Sequence, residues 1–499
     1  MRILFFLHNV SKTRHFDRVL EQLAQRGHSI VLAAVRQRNR PLTLPKNLAL
    51  VNRALIEKGQ RGRIEITACP ARRVDAWENL APSLRQLRDY LRFADERYAA
   101  KDKLEARSRD HTPEWWPAFI ERRPWVRRHW RAVARALAVA ERAIPTDPLF
   151  DLFIRYEKPD LVLVTPLVDY GSYQTDYVKS AHRLGIPVVF APFSWDNLTN
   201  RGLIRVEPDR ILAWNDIQKR EAIDLHGMSP ERVVVTGAAR FDDFFAMTPS
   251  ASREEFLAGQ HLAGDRRLLL YLCSSEFVAP REVDFVRRWL AEVRASSDPA
   301  VRSAAVLIRP HPAHTKPWKG VAFDDVENGV GNVAIWSEKE SMQADQGLYD
   351  SLHHADAIVG LNTSAIIEGS VLGKPAHTII TEEFAGGQEQ TFHFSYLRAA
   401  SGGPLHEARS LSEHVTELAS ALRDPASGRV RSRAFVERFV RPRGLETPVA
   451  PIVVEEIERA AAIRKRPRGQ GVLARSVDIG VRVARSVHRL LASRQVRSR

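Results

Sequence analysis

The stretch that decides the fold is DAIVGLNTSAIIEGSVLGKPAHTII, residues 356–380. It begins with a short apolar run of strand length at 357–360. A helix-compatible segment follows at 365–372, and Gly373, with a proline two residues later, is typical of a helix end. Residues 376–380 then return to a strand pattern. The stretch therefore predicts one strand–helix–strand unit of a parallel sheet.

The start of the predicted helix carries groups that suit a phosphate. Asn362, Thr363 and Ser364 are all residue types that cap helix N-termini. The first N–H groups of a helix have no intrahelical partner and carry a partial positive charge, which favours anions. Glu368 lies one turn further in, where it could reach ribose hydroxyls. A routine strand–helix–strand unit would show the same spacing, so the local pattern leaves both interpretations open.

Length and composition indicate a large soluble protein. A chain of 499 residues exceeds the size of one hydrophobic core, so two domains are expected. The two cysteines are too few for a disulfide framework or a zinc site and fit a reducing compartment. Apolar runs fall short of the roughly 20 residues that span a bilayer. The N-terminus resembles a first strand more than a signal peptide. A cytoplasmic location is therefore expected.

The net charge of +15 is concentrated at the C-terminal end. Residues 464–499 contain eleven Lys or Arg and one Asp, which gives this tail +10 and leaves +5 for the rest. Within 470–495, apolar residues recur at helical spacing and the arginines lie mostly elsewhere on the wheel. This predicts a basic amphipathic helix on an anionic membrane surface. A disordered or partner-bound tail remains open, and nucleic-acid binding by the body is not indicated.

Strand and helix patterns alternate in both halves of the chain, which predicts an α/β fold with parallel, doubly wound sheets. This alternation of strands and helices is interrupted at residues 72–146, which are helical in composition. The predicted organisation is a first domain at 1–237 with a helical insertion at 72–146, a second domain at 238–445, and C-terminal helices at 446–499.

The insertion is dense in arginine and tryptophan. Trp115, Trp116, Trp125 and Trp130 lie close together in EWWPAFIERRPWVRRHW. One interpretation is a surface for an anionic lipid or a lipid-linked acceptor. The interpretation that we favour from the sequence is that the tryptophans pack on the sheet domain and the arginines face water.

Four predicted strand ends of the second domain carry polar or aromatic side chains. Since carboxyl ends of parallel strands meet at one edge, these side chains are expected to form a site. Arg309 can bind phosphate in a bidentate manner, His311 can donate to a leaving diphosphate, and Trp336 can stack on a base. The spacing does not match metal ligands, so no metal is expected. The candidate residues are Ser274, Ser275, Arg309, His311, Trp336, Asn362, Thr363 and Ser364.

Three segments of the second half resemble a known family: VVVTGAARFDDF, LIRPHP and ADAIVGLNTSAIIEGSVLGKP. They are similar to the donor half of glycosyltransferases with the GT-B fold, in particular bacterial surface and capsular polysaccharide transferases and CDP-glycerol glycerophosphotransferases. The resemblance implies two Rossmann-like domains facing a cleft. It also implies a donor nucleotide held by Arg309, His311, Ser364 and Glu368.

The first half resembles the opening strand–helix unit of such enzymes in RHFDRVLEQLAQRGHSIVLA. In that unit a histidine at the start of the first helix can serve as the base, which points to His15. His8 at the strand end and Asp196 in the loop SWDNLTN are further candidates. The implied reaction is inverting, cofactor-independent transfer from a nucleotide-sugar to a hydroxyl of a cell-envelope glycan or lipid-linked acceptor.

Three alternatives remain open from the sequence. A UDP-sugar 2-epimerase would share the two-domain plan but act on one soluble substrate. A glycerophosphotransferase would use a polyol-phosphate donor. A non-catalytic scaffold in envelope assembly would keep the fold without the chemistry. The expected partners are a nucleotide-sugar, the acceptor, and an anionic membrane surface through residues 470–495.

Overall fold

The computed structural model describes residues 1–36, 41–323, 326–327, 330–336 and 344–463, together with Pro467 and Val481. The chain divides into two compact units. The first comprises Met1–Arg240 and Pro448–Arg499, and the second comprises Phe241–Thr447. The basic helix predicted at 470–495 lies outside the described residues, apart from Val481.

The first unit is built on a seven-stranded parallel sheet. In chain order its strands are β1 (Arg2–Leu7), β2 (Ser29–Ala34), β3 (Arg63–Ala68), β4 (Leu161–Thr165), β5 (Val188–Phe190), β6 (Arg210–Ala213) and β7 (Val233–Val235). Their order across the sheet is β3-β2-β1-β4-β5-β6-β7.

Eleven helices are described in the first unit. They are α1 (Asp17–Gln25), α2 (Lys46–Glu57), α3 (Leu80–Leu91), α4 (Asp102–Asp110), α5 (Trp115–Arg122), α6 (Pro124–Arg128), α7 (Trp130–Ala143), α8 (Pro148–Glu157), α9 (Gln174–Leu184), α10 (Asp216–Asp224) and, near the C-terminus, α20 (Val449–Ala461).

The central strand β1 shows why this sheet is covered on both faces. Ile3 and Phe5 point into a core that α1 and α20 complete, whereas Leu4 and Phe6 point into a second core with α8 and α9. All four side chains are fully buried. A strand that is apolar on both faces is typical of a parallel sheet with helices on each side.

Residues 72–146, all of which the structure describes, contain α3–α7 and no strand. Trp116 and Trp130 in this segment are partly buried, but Trp115 and Trp125 are each 55% exposed. The expectation that the tryptophans pack on the sheet domain is therefore wrong for these two. Their helices are short, and more than half of each residue stays exposed.

The second unit is built on a six-stranded parallel sheet. Its strands are β8 (Leu268–Leu272), β9 (Ala305–Arg309), β12 (Val333–Ile335), β13 (Ala357–Val359), β14 (Ala376–Ile379) and β15 (Leu405–Ala408), while β10 (Val326–Glu327) and β11 (Val330–Gly331) form a separate antiparallel pair. The sheet order is β12-β9-β8-β13-β14-β15. These two parallel sheets confirm the predicted α/β class.

The helices described in the second unit are α11 (Asp242–Ala246), α12 (Arg253–Gly259), α13 (Glu282–Arg294), α14 (Pro299–Arg302), α15 (Ala344–His354), α16 (Ala365–Val371), α17 (Phe394–Leu397), α18 (Leu411–Arg423) and α19 (Pro425–Phe439). Among the residues described in both units, no helix combines the length and the apolar character needed to cross a bilayer.

The strand–helix–strand unit predicted at 356–380 is present as β13, α16 and β14. A glycine inside α16 explains how closely the helix approaches its strand. A Cβ atom at Gly369 would lie 2.3 Å from Cδ1 of Ile358 on β13. The missing side chain therefore lets the helix pack directly on the strand, and this fixes the helix start beside the strand end.

Candidate functional site

The candidate donor residues of the second unit lie along one edge of its sheet. The strands β12, β9, β8 and β13 are neighbours and all run parallel, so the residues that follow them meet at their carboxyl ends. The structure thus brings together Trp336, Arg309, Ser274 and Asn362, one from each strand end.

Arg309 and Trp336 are already engaged with each other and with neighbouring helices. Nη1 of Arg309 donates to the carbonyl oxygen of Gly347 at 3.1 Å and lies 3.2 Å from Oγ of Ser351. The guanidinium lies 4.4 Å from the centre of the Trp336 ring. Trp336 is 9% exposed and also stacks on Phe256, with ring centres 6.2 Å apart. The structure therefore gives Trp336 a packing role, and its indole is not open to a nucleotide base.

His311 has the chemistry that suits a phosphate. Its Nδ1 accepts a hydrogen bond from the backbone N–H of Ala313 at 3.1 Å, which places the ring proton on Nε2. Burial, and then the neighbouring His314, lower the pKa of His311 below its usual value. At neutral pH the ring is therefore an uncharged donor through Nε2–H, in a side chain that is only partly buried.

The start of α16 differs in detail from the prediction. Ser364 has helical backbone angles (φ −62°, ψ −24°), and its side chain makes no capping hydrogen bond. The N–H of Ala365 lies 3.5 Å from Oγ1 of Thr363, at the limit of a hydrogen bond. Ser364 thus stands at the start of α16, where the pattern of Asn362, Thr363 and Ser364 predicted a cap, but it has helical backbone angles and makes no side-chain cap. Its side chain is exposed, whereas Thr363 is buried.

Ser274 and Asn362 hold the strand ends together. Oγ of Ser274 accepts from the N–H of Asn362 at 3.4 Å, and Nδ2 of Asn362 donates to the carbonyl oxygen of Gly387 at 2.6 Å. Both side chains are buried. They therefore position the carboxyl edge of the sheet and its adjoining loop. Of the two serines that follow β8, Ser275 is the one that is partly exposed and open to a ligand.

Glu368 is buried on α16. Only 2% of the residue is exposed, because this face of the helix packs inside the unit. The sequence places it one turn beyond the helix start, and the structure confirms that position. In this conformation, however, almost none of its surface is available to ribose hydroxyls.

Glu282 is a site residue that the sequence did not indicate. Its Oε2 accepts from the backbone N–H of Ser274 at 2.7 Å, and its Oε1 lies 3.3 Å from the Tyr271 hydroxyl. Burial raises the pKa of Glu282 to about 8, so the carboxyl group retains its proton at neutral pH. It lies ten residues from the strand on a helix, and no motif in the sequence connects the two.

The carboxyl edge of the first sheet carries the candidate bases. The strands β1 and β4 are neighbours, so His8 and Asp169, which follow them, meet there. Nδ1 of His8 lies 3.5 Å from Oδ2 of Asp169, and the other oxygen of that carboxylate pairs with Arg201. His8 is exposed. The pair has the arrangement of a base and its orienting carboxylate, and sequence reasoning missed Asp169.

His15 ends a 3₁₀ segment, Val10–His15, and is only 6% exposed. Its ring lies 5.1 Å from that of Phe193. Burial, and then the nearby cations Arg240, Arg14 and Lys12, lower the pKa of His15 well below its usual value. The imidazole is therefore uncharged at neutral pH, but little of it can reach a substrate.

Asp196 is engaged within its own loop. Its Oδ1 accepts from the Ser194 hydroxyl at 2.6 Å, and its Oδ2 accepts from Nδ2 of Asn200 at 3.2 Å. These are the local contacts that stabilise a turn. Asp196 and Asp169 also interact with Lys12. The pKa of Lys12 lies below its usual value, mainly because the side chain is buried, and the two carboxylates offset part of this decrease.

Within the described residues, no group of three or more His, Cys, Asp or Glu side chains is arranged to hold a metal ion.

Solved structures show which folds this chain shares. A putative UDP-N-acetylglucosamine 2-epimerase from Listeria monocytogenes aligns with a TM-score of 0.52 and 11% identity, over 93% of this chain and 98% of that one. A UDP-GlcNAc 2-epimerase from Neisseria meningitidis, bound to UDP-GlcNAc, aligns with a TM-score of 0.51 and 12% identity, over 92% and 100%. The chain shares the fold of these enzymes.

A glycosyltransferase from Rickettsia africae aligns with a TM-score of 0.49 and 9% identity, over 93% of this chain and 99% of that one. No protein-family model and no curated protein sequence matches the chain. The GT-B-type fold that the sequence resemblance implied is thus confirmed at the level of fold.

Proposed function

We propose that the chain is a nucleotide-sugar-dependent glycosyltransferase that acts on a hydroxyl of a cell-envelope glycan or lipid-linked acceptor. The observation that carries this proposal is the exposed His8, oriented by Asp169 at the carboxyl edge of the first sheet. A transferase needs a base that can reach a bound hydroxyl, and this imidazole is the candidate base with both exposure and a carboxylate partner.

The second unit supplies the donor site in this proposal. The Nε2–H of His311 can donate to a diphosphate oxygen, and the exposed hydroxyl of Ser364 and the partly exposed Ser275 lie at neighbouring strand ends. Hydrogen bonds to a charged acceptor stabilise it more than neutral ones do. These groups support a nucleotide diphosphate at this edge, held without a metal ion.

The proposed reaction follows from these roles. Because Nδ1 of His8 faces Asp169, its Nε2 takes the proton from the acceptor hydroxyl. The hydroxyl oxygen attacks the anomeric carbon as the bond from that carbon to the diphosphate oxygen breaks, so the configuration inverts. His311 stabilises the charge that develops on the departing diphosphate. The products are the glycosylated acceptor and the free nucleoside diphosphate.

The cellular setting is also a proposal. The pattern of residues 470–495 supports attachment to an anionic membrane surface, and the cysteine content supports a cytoplasmic location. An acceptor in the cell envelope would then be met at the inner face of the membrane.

An epimerase is the second candidate. It is favoured by one observation: the two solved structures described above with TM-scores over 0.5 are UDP-N-acetylglucosamine 2-epimerases. An epimerase converts its UDP-sugar without an acceptor, whereas a transferase consumes the donor in step with acceptor glycosylation. Following the UDP-sugar with and without acceptor separates the two.

Nucleotide binding is tested by thermal unfolding of the full-length protein with UDP, CDP, GDP, ADP, TDP and CMP. At 100 times Kd, a ligand that binds only the folded state stabilises it by about 2.7 kcal/mol. We expect a rise in Tm with at least one nucleotide. We expect His311→Ala to weaken its affinity by about 10–100-fold, since a hydrogen bond to a charged group contributes ~1.5–3 kcal/mol.

The matched control is His353→Ala. His353 is an exposed histidine of the same unit, next to Lys374 at the amino end of β14 and so away from the carboxyl edge. It should leave nucleotide affinity unchanged. Absence of a shift with every nucleotide would count against both the transferase and the epimerase.

A further inference from the structure

A cavity of about 630 Å³ lies in the first unit between the helical insertion and α9. Its wall comes from the loop at 71–73, from α3, from the start of α5, and from the residues at the start of α9. This volume is within the range of small-ligand sites, roughly 300–1,000 Å³. Of this wall, the sequence analysis had named only Trp115, as part of a surface for an anionic lipid or a lipid-linked acceptor.

The charged groups in the cavity wall are neutralised by one another. Asp176 accepts from Arg73 at 2.6 Å and from Arg85 at 2.7 Å, and Arg85 also pairs with Glu141. At the rim, Arg72 pairs with Glu78. Among the residues that the structure describes, this wall offers an anionic ligand no uncompensated positive charge.

The other side chains of the wall combine apolar and neutral polar groups. Leu80, Pro82 and Pro113 present apolar surface, while Asn79, just before α3, and Gln86 on α3 offer amide donors and acceptors. An acyl chain would lie against these amides without satisfying their hydrogen bonds, which is costly. A ligand with many hydroxyl groups and apolar ring faces satisfies both kinds of surface.

Trp115 gives this cavity a wide aromatic wall. It lines the cavity and is 55% exposed. Its ring is held against that of Trp116, with centres 3.9 Å apart, and Nε1 of Trp116 donates to Oγ of Ser83 at 2.9 Å. The exposed indole is thus fixed in place before any ligand arrives, which reduces the entropy cost of binding. Sugar rings stack their C–H faces on such a surface.

The cavity also shares one residue with the surroundings of the proposed base. Tyr173 lines it, and the Tyr173 ring lies 6.4 Å from the ring of His8. Tyr173 therefore connects the cavity wall to the carboxyl edge where His8 and Asp169 meet.

From these observations we propose that the cavity is a binding subsite for a neutral saccharide, with Trp115 as its stacking platform. Its part in the reaction, holding the acceptor glycan with a hydroxyl near His8, rests on the proposed transferase function. The saccharide binding itself does not.

Binding is tested with the full-length protein on an array of neutral oligosaccharides, without any nucleotide-sugar. We expect at least one class of neutral glycan to bind, and Trp115→Ala to weaken that binding at least 10-fold. The matched control is Trp125→Ala, because Trp125 is equally exposed, lies in the same helical segment, and does not line the cavity. It should bind as the unmodified protein does.

A second variant keeps the test independent of Trp115. Ala71→Cys places a reactive thiol in the wall at a partly exposed residue to which no ligand contact is assigned, and both natural cysteines are buried. Labelling it with a bulky maleimide should abolish glycan binding, while the unlabelled variant should retain it. Binding to no neutral glycan, or binding that survives both Trp115→Ala and the label, would overturn the proposal.

A kinetic experiment tests the proposed transferase function separately from saccharide binding. If a bound glycan accepts sugar from a nucleotide-sugar, Trp115→Ala should raise KM for the glycan at least 10-fold and leave KM for the nucleotide-sugar unchanged. Glycan binding without any consumption of a nucleotide-sugar would contradict the transferase but not the subsite. Transfer with a glycan KM that Trp115→Ala leaves unchanged would contradict the subsite alone.

Discussion

Replacing Asp176 with alanine is expected to lower the free energy of unfolding of the first unit by about 3–5 kcal/mol. Asp176 is 1% exposed and accepts hydrogen bonds from Arg73 and Arg85. Removing its carboxylate leaves two buried guanidinium groups short of a partner. Urea unfolding followed by tryptophan fluorescence measures the change, because most tryptophans lie in this unit.

The control for this variant is Glu121→Ala. Glu121 also pairs with an arginine, Arg109, at 2.8 Å, but both side chains are more than half exposed. An exposed pair contributes about 0–1 kcal/mol, so little change is expected. If Asp176→Ala were no more destabilising than Glu121→Ala, the buried ion pairs of Asp176 would contribute no more to stability than an exposed pair does.

The same network predicts a dependence on pH. Burial alone would raise the pKa of Asp176, but the charge and hydrogen bonds of Arg85, with the charge of Arg73, lower it to about 2 from its ordinary 3.8. A lowered pKa gives stability that is present above pH ~4 and is lost as the pH falls toward 2. Asp176→Ala should therefore remove part of the acid-induced loss.

The second large effect is expected on catalysis. Replacing His8 with glutamine should lower kcat for sugar transfer by about 10²–10⁴, because that range is typical of a general base. KM for the nucleotide-sugar should stay the same, since His8 belongs to the first unit and the proposed donor groups belong to the second. Initial rates of nucleoside diphosphate release measure both constants.

Two further variants separate the candidate bases. His15→Gln should reduce kcat much less than His8→Gln, because His15 is 6% exposed whereas His8 lies open at the strand end. Asp169→Asn should lower kcat and also shift the pH profile, as expected for a residue that orients the base. If His15→Gln abolished turnover and His8→Gln retained most of it, with both proteins folded, the assignment of the base would be wrong.

The parts of the fold that the sequence predicted are local patterns. β1, β13, α16 and β14 each occupy a short continuous stretch in which apolar spacing and a stop signal decide the element. The predicted strands in turn predicted where the candidate site lies, because parallel strands present their carboxyl ends at one edge of the sheet. His311 could be singled out for the same reason.

The parts that it did not predict depend on residues far apart in the chain. Arg85, Glu141 and Asp176 meet across 56 and 91 residues, and no spacing rule links them. Asp169 becomes a candidate only once β4 is known to lie beside β1. The sequence also did not predict which side chains are exposed. Trp115 is exposed and Glu368 is buried, but both lie in helical patterns that do not show which neighbours cover them.

The central claim is that this chain transfers sugar from a nucleotide-sugar to a hydroxyl acceptor. The most direct measurement incubates the full-length protein with nucleotide-sugars labelled in the sugar, together with a cell-envelope glycan fraction, and follows both products. We predict that label enters the glycan in equal amount to the nucleoside diphosphate released, and that His8→Gln suppresses both. Conversion of the labelled sugar to an epimer without acceptor, or no consumption of any nucleotide-sugar, would contradict the account.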